Sequence, residues 1–158
     1  MNISGFCRWL IVACCAFAAA PTAAQLQPAE DLSRLAASAR ARNTPVLIAF
    51  MQKTCPYCAA SRSDYLIPLQ KDPRWRNQVL IREIDVDRRT EMRDFGGKST
   101  THADFARSHG VRRVPTLIVF DAEGNPVAPP IIGLLNDEFY RLYIEQAVDA
   151  GVIKMRKR

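Results

Sequence analysis

Histidine, glycine and usable cysteine are all scarce in this chain. Its 158 residues include two histidines, seven glycines and five cysteines, and three of those cysteines fall within the first 15 positions. So little glycine excludes a collagen-like repeat, and a composition 48% hydrophobic and 24% charged excludes a disordered chain. A structural zinc site normally takes four ligands, often two closely spaced pairs. Beyond the first 24 residues the chain has one cysteine pair, Cys55 and Cys58, with His102 and His109 far off in sequence, so no metal site is expected. A long hydrophobic run is missing too: the longest, Trp9 to Ala20, has 12 residues. A membrane-spanning helix needs about 20.

That run sits in a segment lacking acidic residues altogether. Residues 1–24 carry one basic side chain, Arg8, then the apolar run, then Pro21-Thr22-Ala23-Ala24 ahead of Gln25. A positive start, an apolar stretch and small residues at its end are the parts of a secretory signal peptide, read here as residues 1–24 with cleavage after Ala24. Ile11-Val12-Ala13-Cys14 also resembles a lipobox, which would place a lipid anchor on Cys14. Either way the chain is read as exported. The exported chain keeps 21 basic and 16 acidic side chains. Much of the excess lies in Lys154, Arg156, Lys157 and Arg158, so residues 151–158 read as a solvated basic tail after a domain over 25–150. Nucleic acid is not an expected partner of so weak a cluster.

What is present is one domain's worth of alternating elements. Leu32, Leu35, Ala36 and Ala39 recur at helical spacing within 25–42. Val46 to Met51 is an unbroken apolar run and reads as a buried strand. A helix follows from Cys55, then a strand over 79–86, a polar loop over 88–101, a short helix over 103–109 and strands over 116–121 and 127–132. A last helix is expected to turn Phe139, Leu142, Tyr143, Ala147 and Val148 inward. The order predicts an α/β fold, a central mixed sheet flanked by helices.

The chemistry concentrates at Cys55-Pro56-Tyr57-Cys58. A strand leading into this motif puts Cys55 at a helix N-terminus, where free N–H groups and the helix dipole favour thiolate over thiol. Thiolate is the nucleophile in disulfide exchange. Cys55 is therefore read as the attacking sulfur and Cys58 as the thiol that resolves the mixed disulfide. One close pair closes too small a loop to act as a staple, so the pair is read as chemical. A second class stays open: a carrier that holds a soft metal on both thiolates, with Met51 as a third ligand.

With the motif, the segment His109 to Thr116 ending in Val114-Pro115-Thr116, the strand and turn Leu117 to Asn125, and Gly133 before the last helix, the chain resembles the thioredoxin superfamily. It is most similar to periplasmic thioredoxin-like proteins, including the thioredoxins of sulfur-oxidation clusters. The resemblance spans about residues 30–150 and implies a thioredoxin-like fold. It implies a thiol–disulfide oxidoreductase that reduces exported proteins, acting on their thiols and disulfides and recharged by a membrane electron donor. The opposite direction, an oxidase or isomerase, belongs to the same class. No cofactor is implied beyond the redox-active disulfide Cys55–Cys58, and the expected state is a monomer. Substrate is expected at Pro56, Tyr57, Val114, a cis Pro115 and Gly133. The chain departs from the family where thioredoxins carry a buried aspartate six residues before the first cysteine. Ala49 stands there, leaving Glu83 and Asp85 as candidate substitutes. The family tryptophan before the motif is Thr54, and the 88–101 segment is longer than thioredoxin has.

Overall fold

The computed structural model describes residues 25–134 and 137–157. The expected leader 1–24, with Cys14, and the final Arg158 lie outside the described residues. A four-stranded mixed sheet forms the centre, its strands in the order Leu80–Asp85 (β2), Val46–Met51 (β1), Thr116–Phe120 (β5) and Ile131–Ile132 (β6), with helices on both faces. Strand β1 (Val46–Met51) is wholly buried, runs parallel to β2 (Leu80–Asp85) and antiparallel to β5 (Thr116–Phe120). Six apolar side chains without alternation suit a strand covered on both faces.

Helix α1 (Leu32–Arg42) begins later than its apolar spacing predicts. Asp31 accepts a hydrogen bond from the Arg34 N–H at 3.0 Å and caps the helix there. The residues before it extend alongside β2 instead: Ala29 N–H donates to Glu83 O, and Glu83 N–H to Gln27 O, both at 2.9 Å. Asn43 ends the helix in the left-handed region at φ 51°.

The segment after the cysteine motif is one helical rod in three parts: α2 (Pro56–Ala60), a π-helical turn (Ser61–Leu66) and α3 (Ile67–Lys71). Pro68 has no N–H to donate, and its ring would clash with the carbonyl four residues back in a regular helix. The wider turn, with Ile67 N–H donating to Arg62 O, accommodates it.

The polar segment read as a loop contains a hairpin, β3 (Glu91–Arg93) and β4 (Ser99–Thr101), joined around Asp94, whose Oδ1 accepts from the N–H groups of Gly96 and Lys98. Only Met92 of β3 is buried, so no apolar alternation announces the hairpin. Its tip packs away from Cys55. The Phe95 ring lies 5.2 Å from Phe120 and against the turn at Gly124, at the far end of β5 from Pro115.

Helix α4 (His102–Ser108) follows, and its His109 cap joins Phe50, Phe105 and Phe120 in an aromatic cluster. Strand β6 is only Ile131–Ile132. Val127 N–H still reaches Val119 O at 2.9 Å, but Pro129 and Pro130 cannot donate to a ladder, which cuts the expected strand to two residues.

Helix α5 (Asp137–Arg156) corrects two expectations. Tyr140, Ile144, Ala147, Val148, Val152 and Met155 face the core, while Phe139, Leu142 and Tyr143 are exposed. The basic tail is not frayed through Arg156: the helix continues, Gly151 abuts Pro45, and Lys154 Nζ lies 3.1 Å from the buried Asp121. Burial alone would raise the Asp121 carboxyl, but hydrogen bonds from Asn125 and the Lys154 ammonium outweigh it and hold it below the usual range.

Candidate active site

The sheet gathers the predicted residues at one end. Antiparallel pairing of Phe50 with Thr116 sets Pro115 beside Met51, just where β1 runs out toward Cys55. Pairing of Thr116 with Ile132 brings Gly133 to the same level, and its N–H donates to Pro115 O at 2.7 Å. The Val114–Pro115 peptide bond is cis. Val114 lies between the turn after α4 and β5. Among the described residues its backbone N–H and C=O make no hydrogen bond within the chain. Gly133 adopts φ +76°, and a Cβ there would meet nothing within 4 Å. Glycine is therefore required by the backbone conformation, and the space beside it is open.

Cys55 caps the N-terminus of α2, with Pro56 in the first turn where a missing N–H costs nothing. Its Sγ accepts from the Cys58 backbone N–H at 3.1 Å. Both cysteines are free thiols, Cys55 half-buried and Cys58 completely buried. Pro56 is exposed and Tyr57 stands 64% exposed, so the motif's inner pair faces solvent.

The two sulfurs differ in kind. Burial pushes the Cys58 thiol up to about 12; its hydrogen bond to Cys55 adds to this, while the nearby Arg62 guanidinium pulls the other way. Near it the Tyr140 hydroxyl meets Ser61 Oγ at 2.9 Å, and burial raises that phenol too, to about 12.

The expected substitutes for a buried aspartate are placed by the register. Glu83 pairs directly with Ala49 across β1 and β2, so its carboxylate comes from the neighbouring strand at the vacated level. It is not free: Arg62 Nε and Nη2 hold its two oxygens at 2.8 and 2.7 Å, a bidentate pair with side chains 27% and 20% exposed. Asp85 is engaged by Arg88 at 3.2 Å and by the Asp87 N–H. Arg62 is the residue sequence reading missed. Its signal was available, since it falls four residues after Cys58 on a helix, where side chains become neighbours. The pair borders a cavity of about 480 Å³ that also meets Lys53, Arg88 and His102.

The two histidines stand at the ends of α4. His102 is buried, Nε2 meeting Ala29 O at 2.8 Å while Nδ1 accepts from the Asp85 N–H at 3.2 Å. It fastens the extended segment before α1 to the sheet. His109 Nδ1 lies 3.0 Å from Phe105 O. Met51 packs in the core at 0% exposure. Among the described residues no three His, Cys, Asp or Glu side chains gather where they could hold a metal ion, and no helix is long and apolar enough to cross a membrane.

The chain is similar in fold to mitochondrial thioredoxin 3 from Saccharomyces cerevisiae in its oxidised form, with 18% identity, a TM-score of 0.53, and 78% of this chain and 93% of that one covered. Thioredoxin O2 from Arabidopsis thaliana gives 19% identity and a TM-score of 0.52 over 77% of this chain and 93% of that one. A thioredoxin-fold protein from Helicobacter pylori gives 12% identity and a TM-score of 0.50 over 73% and 86%. No curated protein matches the chain in sequence. The family model for the thioredoxin-like domain matches residues 32–147. A half-buried cysteine on a helix start, a buried partner thiol three residues on and this match fit the general chemistry of a thiol–disulfide oxidoreductase, and the chain belongs to the thioredoxin-like domain family.

Proposed function

We propose that the chain is a dithiol reductant for disulfides of exported proteins. The observation that carries the reading is the contrast within one motif: Cys55 Sγ reachable at a helix start, above a Cys58 thiol that burial keeps protonated. Cys55 thiolate attacks one sulfur of the substrate disulfide. A Cys55–substrate bond forms, the substrate S–S bond breaks, and the departing thiolate takes a proton from water. Cys58 then gives up its proton and attacks Cys55 Sγ, forming the Cys55–Cys58 disulfide and releasing the second substrate thiol. Two electrons and two protons pass to the substrate in all, and a dithiol donor returns them.

Substrate lies extended against Val114, pairing with its unbonded N–H and C=O as an added strand, with Pro115, Gly133, Pro56 and Tyr57 around it. The composition of residues 1–24 supports export to the periplasm with removal of the leader, and hence a membrane-borne donor. The reduction potential of the Cys55–Cys58 pair tests the direction. A value near about −270 mV fits a reductant, whereas one between about −180 and −120 mV fits an isomerase or oxidase and overturns the reducing assignment.

A further inference from the structure

We infer that the face around Val114 selects extended segments bearing carboxylates close to the reactive disulfide. The inference rests on the exchange chemistry proposed above and names the substrate class for that same site.

Arg112 and Arg113 immediately precede Val114, both exposed, and form no ion pair among the described residues. Most basic side chains among the described residues make no ion pair; what sets Arg112 and Arg113 apart is their place, side by side ahead of Val114.

Two cavities flank Val114, of about 330 and about 250 Å³, and Arg112 and Arg113 line both. Of the residues lining them, Asp87 alone is acidic. The smaller cavity has an apolar wall from Ile118, Pro130 and Ile132. A strand laid on Val114 sends successive side chains to opposite sides. An apolar side chain can enter the smaller cavity while carboxylates at neighbouring positions meet the guanidinium groups at its rim. Arginine suits this task because its planar fork matches a carboxylate and it stays charged at any physiological pH.

The test uses the reduced protein and three synthetic peptides with the same internal disulfide, flanked by aspartate, serine or lysine, together with uncharged hydroxyethyl disulfide. Single-turnover rates are read by acid quenching and mass spectrometry. The aspartate peptide is expected to react about tenfold faster than the lysine peptide at about 0.1 M salt, a gap that collapses at about 1 M, where the Debye length falls to about 3 Å. The double variant Arg112→Ser/Arg113→Ser should bring the three peptides together while reacting with hydroxyethyl disulfide as the parent does. If that double variant does not fold, Arg113→Gln alone should narrow the gap. Equal rates for all peptides on the parent protein, or a faster lysine peptide, overturn the inference. Failure to react with hydroxyethyl disulfide overturns the exchange reading itself, and this inference with it.

Discussion

Replacing Arg62 by methionine should slow the second half of the exchange while leaving the first half intact. The nearby guanidinium pulls the Cys58 thiol down. A unit charge placed about 6 Å from the sulfur would favour the thiolate by about 2.8 kcal/mol at an effective dielectric of about 20. Glu83, at 2.7 and 2.8 Å from the guanidinium, cancels a large part of this. A residual effect of about 1.4 kcal/mol is one pKa unit, or tenfold in thiolate population. Arg62→Met removes the cation and leaves the Glu83 anion facing the same space, so the resolution step should slow by about 10- to 100-fold on the same arithmetic. Glu83→Gln leaves the cation uncompensated and should speed resolution by up to about tenfold. The lifetime of the mixed disulfide, followed from pH 6 to 9 by quenched mass spectrometry, measures both. A merely structural ion pair predicts that both variants loosen the site in the same way. Shifts of the same sign, or unchanged lifetimes, would refute the assignment of Arg62 as the group that eases Cys58 deprotonation.

Cys58→Ser should accumulate mixed disulfides with substrate and Cys55→Ser none; equal trapping by the two variants would falsify the division of roles. The reduced protein should lose stability as pH rises above about 9, since a thiol whose folded pKa is raised favours folding below its unfolded value and loses that contribution above it. The slope should approach about 1.4 kcal/mol per pH unit near pH 10, and the Cys58 share should be missing from Cys58→Ser and from the oxidised form, as denaturant titrations between pH 8 and 10 can show by difference. Gly151→Ala should destabilise by about 1–2 kcal/mol, although alanine in an open helix stabilises by about 1. Its Cβ would lie 2.6 Å from Pro45 Cβ; a rise in melting temperature would show that α5 does not dock there.

Much of the fold was legible because its signals are local. The unbroken run Val46 to Met51 read as a strand covered on both sides, and Cys55-Pro56 marked a helix start through one proline and one cap. What escaped depends on partners remote in sequence. Gln27 to Ala29 read as helix because Leu32 and Leu35 set a helical period nearby, yet Glu83 offered those residues a ladder. The outward turn of Phe139, Leu142 and Tyr143 follows from Tyr140 and Ile144 taking the buried face, and all five side chains are large and apolar enough to have been inside. The cysteines, Pro115 and Gly133, singled out by their motifs, come together at one end of the sheet. Arg62 was not singled out, because its importance comes from Glu83 arriving on another strand opposite Ala49.

The way the sheet ends has a consequence for how the protein behaves in a crowded compartment. One edge is covered by the chain's own Gln27–Ala29 segment, with Pro28 facing Glu83 across a bridge. The other is shortened to Ile131–Ile132 behind two prolines. Exposed strand edges are where unrelated chains add on and aggregates grow, and both are blunted here. Val114 keeps open a short stretch of backbone beside the reactive sulfur. Under the proposed function, substrate chains would pair at that one spot, for the length of one exchange, without the protein becoming a seed for their aggregation.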